Sequence, residues 1–405
     1  QKVAARHGLV CLLHEKPFAG VNGSGKHNNW SISTDEGVNL LSPGETPHDN
    51  AQFLLFLCAV IKAVDDYQDL LRISVATAGN DLRLGAQEAP PAIVSIFLGD
   101  ELNAVLESLE NDTPYCGVKK TKMKLGVDVL PKFTKDNTDR NRTSPFAFTG
   151  NKFEFRMVGS ADSIACANIM LNSAVAESLR VYADYLEQAP DFQSALQEML
   201  KNTIKEHKRI IFNGNGYDDA WIQEATLKRG LSNYPSTPDC VPHILDRKNV
   251  ELLTGQKIYT EPELRARYEI VLENYCKSIV IEANTMVDMA EKEILPAITA
   301  YAMELAKTAA AKKALNEQIT CAFECERVKT LSALTDEIAL KIQELKKSLI
   351  SLKSTETVCE ESAFIRDQVL VKMRELRVPC DEAETITARK YWPFPTYGEL
   401  LFGVK

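Results

Sequence analysis

A glycine-rich turn that delivers a histidine is the first place along this chain where residue types and spacing could do chemistry. It reads Asn22-Gly23-Ser24-Gly25-Lys26-His27-Asn28-Asn29-Trp30-Ser31 and is preceded by Lys16-Pro17. Gly20 and Gly25 are separated by four residues and Lys26 follows, the spacing with which a phosphate loop cradles a nucleotide through backbone N–H groups. Such a loop also needs a Ser or Thr hydroxyl after the lysine and a helix opening there. His27 stands in the hydroxyl's place, and residues 28–34 are poor in helix formers and suited to a half-buried strand. On a strand, His27, Asn29 and Ser31 share one face and Asn28, Trp30 and Ile32 the other, so one face carries an imidazole able to bind a metal. A second polar set lies at Lys152-Phe153-Glu154-Phe155-Arg156-Met157, where alternation places Phe153, Phe155 and Met157 toward a core and Lys152, Glu154 and Arg156 on the opposite face. Two further islands, Arg83-Leu84-Gly85-Ala86-Gln87-Glu88 and Asn141-Arg142-Thr143-Ser144, carry charge in segments that read as loops.

Positioning these groups requires a strand-bearing first half. Residues 9–18 and 30–41 read as strands flanking the glycine turn, and Ser42-Pro43-Gly44-Glu45-Thr46-Pro47 as a turn cluster. A helix capped by Asp49 or Asn50 runs to Leu71; residues 80–91 are loop-like, 102–109 a short helix, and 132–149 an exposed segment. From Asn168 the pattern is helical, with amphipathic stretches at 171–186 and 191–211, the second capped by Asp191. The proline-rich stretch 232–242 reads as a connection between domains, and Thr260-Glu261-Pro262-Glu263 as a capping box opening a long helix. Further helices cover 298–353 and 358–377; the near-heptad stretch 331–352 is short enough to favour a bundle over a free coiled coil. The expected division is residues 1–235, carrying the polar islands, and a helical part at 236–405.

Composition narrows the class. A chain of 405 residues with 45% hydrophobic and 25% charged residues is long enough for two globular cores. Its net charge of −9 argues against non-specific nucleic-acid binding. The longest apolar run, residues 53–64, is interrupted by Lys62 and falls short of the ~20 residues that span a membrane. The ten cysteines are scattered, and Cys321 and Cys325, at helical spacing, read as buried thiols rather than zinc ligands, in keeping with a reducing compartment. The chain opens on Gln1 without a methionine, and with its main motif so near that point it reads as lacking an N-terminal portion.

Taken in order, the four islands resemble the glutamine synthetases. The stretch from Lys16-Pro17 to His27 is similar to their ATP-binding signature; Arg83 to Pro90 to their flexible flap; Asn141-Arg142-Thr143-Ser144 to the segment that holds phosphate; and Lys152 to Arg156 to the strand giving a metal glutamate and a substrate arginine. Gly79-Asn80-Asp81, Glu88-Ala89-Pro90-Pro91, residues 146–152 and the helical tail resemble the type III branch. The resemblance implies an α+β fold, with a glutamine synthetase-like catalytic domain (a curved antiparallel sheet with helices) followed by an all-α C-terminal domain. It implies ATP as a substrate, Mg2+ or Mn2+ as cofactor, L-glutamate and ammonia as partners, self-association into a ring-type homo-oligomer and a cytoplasmic location, with neither nucleic acid nor membrane as partner. By the same resemblance His27 and Glu154 are metal ligands, Asn22, Gly23, Arg83 and Arg156 bind the amino acid, Ser31 and Lys152 lie at nucleotide-side positions, and Arg142 and Glu88 are catalytic. This chain departs from the family pattern where a second phosphate arginine is expected, since Ala147 stands there with Lys135 and Arg140 as candidate substitutes. Leu82 also replaces a histidine before the flap arginine, and the family's remaining glutamate metal ligands would precede the glycine turn. Two other readings fit the same residues: a non-catalytic assembly or regulatory module, and a related ligase joining glutamate to an amine.

Overall fold

A computed structural model of the chain describes residues 2–9, 11, 15–16, 20, 22–85, 89–115, 144–396 and 399. Contacts divide it into two compact units, one of residues 13–268 and one of residues 1–12 with 269–405.

In the first unit the sheet is built around β4 (Phe153–Gly159), with strand order β1 (Gly25–Trp30), β4, β3 (Phe146–Phe148) and β2 (Ile96–Phe97). Phe153, Phe155 and Met157 face the core as alternation requires, and Phe146 stacks on Phe153 with ring centroids 4.6 Å apart. All seven residues of β4 are buried, so its polar face is covered as well. β4 is antiparallel to β1 and β3, but β2 runs parallel to β3. The helix Asp100–Glu110 lies between those two strands in the chain and supplies the crossover that parallel pairing needs, so this small sheet is mixed rather than wholly antiparallel.

Three helices seat the sheet. The apolar run at 53–64 forms α2 (Ala51–Asp66), numbered after a short α1 (Lys2–Arg6), and the Asn50 side chain caps it by accepting the Phe53 N–H at 3.0 Å. It ends at Tyr67 and a separate α3 (Gln68–Ile73) follows, where the spacing had suggested one helix. α6 (Ile164–Glu187) and α7 (Phe192–His207) pack on α2, and Asp191 caps α7 as expected, accepting the Gln193 N–H at 3.1 Å. Between them in the chain come α4 (Ala78–Arg83) and α5 (Asp100–Glu110).

Several expectations are corrected. The strand expected over 30–41 stops at Trp30 and gives way to a turn closed by the Ser33–Asn39 bridge. Residues 80–83, the start of the stretch read as loop, belong to α4 because Thr77 caps the turn by accepting the Asn80 N–H. Ser144 to Phe148, expected to be exposed, is buried beside β4. The proline-rich stretch 232–242 is no linker. Buried Arg72 donates to the Tyr234 carbonyl at 2.8 Å and to Asp81 at 2.7 Å, and Asp81 accepts the Thr237 N–H at 2.6 Å, pinning the stretch within the first unit.

The first unit closes with the short helices α8 (Asp219–Gln223), α9 (Thr237–Cys240) and α10 (Arg247–Gly255) and with the capping box at Thr260 and Glu263 that opens α11 (Glu261–Met289). The second unit is helical. A π turn at Ala290–Ile294 carries the helix past Pro296 into α12 (Leu295–Leu315), absorbing the hydrogen bond that proline cannot donate. α13 (Ala322–Ser351) buries Leu331, Leu334, Ile338, Ile342 and Leu345 against α12 and α15 (Leu370–Ile386), a bundle as the spacing required, with α14 (Val358–Phe364) between. Cys321 is buried but Cys325 is exposed, which corrects one of the two thiol placements.

Candidate functional site

β1 and β4 set the geometry of the site. Their register pairs Lys26 with Val158 and Asn28 with Phe155, so β1 advances two residues where β4 advances three, and the extra residue falls at Arg156–Met157, opposite His27. The bulge leaves both Met157 and Val158 in the core while His27 stays on the outer face. His27 Nδ1 lies 2.8 Å from Glu154 Oε1, with the imidazole 55% exposed and the Glu154 side chain 9%. On the other face of β1, Asn28 donates to Asn168 and Trp30 Nε1 to Asn172, both at 2.8 Å and one helical turn apart on α6. The two faces separate as the strand alternation predicts.

Arg156 follows Glu154 on the same strand. Its side chain is buried and Nη2 donates to the Ser144 carbonyl at 2.7 Å. Arg83 is buried too, below the sheet edge. Its Nη1 donates to Asn80 Oδ1 at 3.1 Å and to the Met157 carbonyl at 3.2 Å, and its Nη2 to the Arg156 carbonyl at 2.9 Å. This guanidinium therefore ties α4 to β4 instead of projecting from a flap, because the strand's carbonyls lie within reach and burial demands acceptors. Burial also lowers its pKa, against the attraction of Glu15. The glycines of the turn exist because Arg83 is there: a Cβ on Gly25 would fall on its guanidinium, and one on Gly23 would lie 2.9 Å from its Cγ.

Asn22 is exposed at the entry to β1. Ser31 Oγ lies 3.0 Å from Asn39 Oδ1 and from the Asn151 carbonyl, so Ser31 and the turn preceding half-buried Lys152 are spatial neighbours. Lys26 donates to the Asp162 carbonyl. The structure thus pairs His27 with Glu154 across β1 and β4, sets Arg83 and Gly23 toward the end where Gly25 meets Gly159, and leaves Ser31 at the opposite end, beside Asn151. Glu88 and Arg142 lie outside the described residues.

Three residues were given no site role from the sequence. Glu15 is buried and accepts the Ala161 N–H at 2.9 Å; Asp162 faces it, its carboxyl pushed up by burial and by the Glu15 charge. Asn80 is fully buried and donates to the Val75 and Met157 carbonyls at 2.9 and 2.8 Å. The clue was glycine density, with Gly23, Gly79 and Gly159 surrounding this spot. A separate cluster of Asp65, Asp66 and His207 joins α2 to α7, but Arg209 and Lys62 already neutralise its carboxylates, so it is a structural ion network.

A family profile described as "Glutamine synthetase C-terminal domain" matches residues 195–313. A glutamine synthetase from Butyrivibrio fibrisolvens is 46% identical over 410 residues, covering 100% of this chain and 58% of that protein. A type-3 glutamine synthetase from Dictyostelium discoideum is 45% identical over 409 residues, covering 99% of this chain and 56% of the relative. A glutamine synthetase from Bacteroides fragilis is 38% identical over 413 residues, with 99% and 56% covered. The chain spans a little over half the length of these relatives. The four ordered islands, the α+β fold and these matches place it in one class: the chain belongs to the glutamine synthetase family. Within that family it resembles the type III branch, the name borne by the Dictyostelium relative.

Proposed function

We propose that this chain supplies part of the active site of an ATP-dependent ligase that joins ammonia to L-glutamate, giving L-glutamine, ADP and phosphate in nitrogen assimilation. The observation that carries the reading is the pairing of exposed His27 with buried Glu154 across β1 and β4, with Arg156 next on the same strand face. An imidazole nitrogen beside a carboxylate is a mixed donor set suited to manganese or magnesium, so His27 and Glu154 would hold the divalent ion. Bound there, the ion supplies charge neutralisation for the phosphates.

In the first step an oxygen of the substrate's side-chain carboxylate attacks the terminal phosphorus of ATP, the bond to ADP breaks, and a γ-glutamyl phosphate results. Arg156, with Arg83, Asn22 and Gly23, holds the amino acid; Arg142 steadies the transferring phosphoryl group through its planar fork of donors. Ser31 and Lys152 take nucleotide-side positions. In the second step ammonia attacks the acyl carbon, the bond to phosphate breaks, and Glu88 takes the proton released from nitrogen while closing over the site. Arg83's inward placement in this structure means that it reaches substrate only after exchanging a carbonyl partner for a carboxylate. Residues 1–235 carry every proposed site residue and 236–405 none, which is the functional division proposed. A ring of like subunits and a cytoplasmic setting belong to the same reading. Among the described residues, no helix is long and apolar enough to cross a membrane.

Manganese titration tests the metal assignment without turnover. His27→Ala is expected to weaken binding at least tenfold, about 1.4 kcal/mol, with the fold intact. An unchanged titration would remove His27 from the ligand set.

A further inference from the structure

Glu15 is a carboxylate that the proposed chemistry leaves idle, yet the structure holds it from three sides. It is 6% exposed. Its Oε1 accepts the Ala161 N–H at 2.9 Å, in the turn between β4 and α6, and its backbone carbonyl accepts the Ser24 N–H at 2.7 Å, in the glycine turn. Three glycines make room for it: a Cβ on Gly79 would lie 2.7 Å from Oε2, one on Gly159 3.2 Å from Cγ and Oε1, and one on Gly23 2.8 Å from the carbonyl oxygen. These glycines belong to α4, β4 and the turn, the three elements that meet at the candidate site.

A charge so enclosed needs a partner. Arg83 donates to Asn80 and to the backbone carbonyls of Arg156, Met157 and Val158, all neutral acceptors. A buried guanidinium among neutral oxygens is costly without a countercharge. Glu15 exerts the strongest attraction on it, ahead of Tyr217 and Asp162, while Arg156 repels it. Gly23 marks how closely the two residues approach, since its missing Cβ would touch both the Glu15 carbonyl and the Arg83 side chain.

We propose that Glu15 is a positioning residue of the candidate site: its charge holds the Arg83 guanidinium at β4, and its backbone fixes the glycine turn that leads into His27. The inference rests on the proposed function where it concerns glutamate, and on the geometry alone where it concerns β1. Glu15→Gln keeps an oxygen for Ala161 and removes the charge, whereas Gly79→Ala keeps the charge and displaces the carboxylate. In the protein as the cell makes it, both variants should raise the calorimetric Kd for L-glutamate about tenfold in the presence of manganese and a non-hydrolysable ATP analogue, ~1.4 kcal/mol. Both should also speed amide exchange at residues 25–28 and lower the melting temperature. A purely structural residue would lower the melting temperature and leave glutamate affinity alone. If the parent binds glutamate and both variants bind it equally well, or if exchange in β1 is unchanged, the inference is overturned. If the parent binds no glutamate, the proposed function fails, and the exchange measurement alone decides the role of Glu15.

Discussion

Strand alternation put His27 and Glu154 each on the polar face of its own strand, and only the family resemblance joined the two. Their 2.8 Å contact depends on the pairing of β1 with β4 and on the bulge opposite His27, neither of which spacing shows. Arg83 shows the opposite case. Spacing marked it as a loop charge, and nothing one-dimensional places the carbonyls of residues 156–158 within its reach. Glu15 and Asp162 escaped for the same reason, being acids brought together from 147 positions apart by chain folding. Their proximity has a pH signature. Burial, then the Glu15 charge, raises the Asp162 carboxyl above its ordinary value near 3.8, so the native state holds that proton more tightly than the unfolded chain. The repulsion is absent at low pH and is imposed as pH rises through the raised value. Asp162→Asn keeps an oxygen for Thr77 and removes the charge, so its melting temperature should exceed the parent's at pH 7, with the difference shrinking toward pH 4. A difference that stays constant over that range would show that charge is not the cause.

At the scale of elements, segments with long periodic patterns and caps were readable: α6, α7, the capping box at Thr260 and the bundle stripe on α13 all stand where spacing put them. Short elements were not, because tertiary contacts decide them. α4 is only six residues long and is fixed by the Thr77 cap and Asn80's bonds to β4, and the stretch 232–242 is held by Arg72 and Asp81 rather than by its own sequence. Close approach explains the glycine turn better than flexibility does. Gly25→Ala would set a methyl group on the Arg83 guanidinium and force β1 away from α4. A loss of about 1–3 kcal/mol in unfolding free energy is expected by chemical denaturation. Full stability in this variant would mean that Arg83 does not occupy the space beneath the turn.

For the molecule as a whole, the net charge of −9 argued against non-specific nucleic-acid binding, and the family assignment came from four islands in order rather than from any one of them. Glu88 and Arg142 were reachable only through that resemblance. The cysteines offer a check on the packing of both units. Burial pushes Cys58, Cys240 and Cys276 up to about 12, whereas Cys11 and Cys325 are exposed. Iodoacetamide at pH 8 should therefore label Cys11 and Cys325 in the native protein and spare those three until denaturant is added; rapid native labelling of Cys58 would contradict the α2 core.

The central claim is that the site makes an acyl phosphate from glutamate and passes it to ammonia. The protein as the cell makes it, given ATP, manganese, L-glutamate and ammonium, should release one phosphate per glutamine formed. Hydroxylamine in place of ammonium should be converted to γ-glutamyl hydroxamate, and Glu88→Ala should lose most ammonia-dependent turnover while retaining nucleotide binding. Phosphate release that does not depend on glutamate, or no glutamine from a folded and metal-loaded protein, would contradict the account.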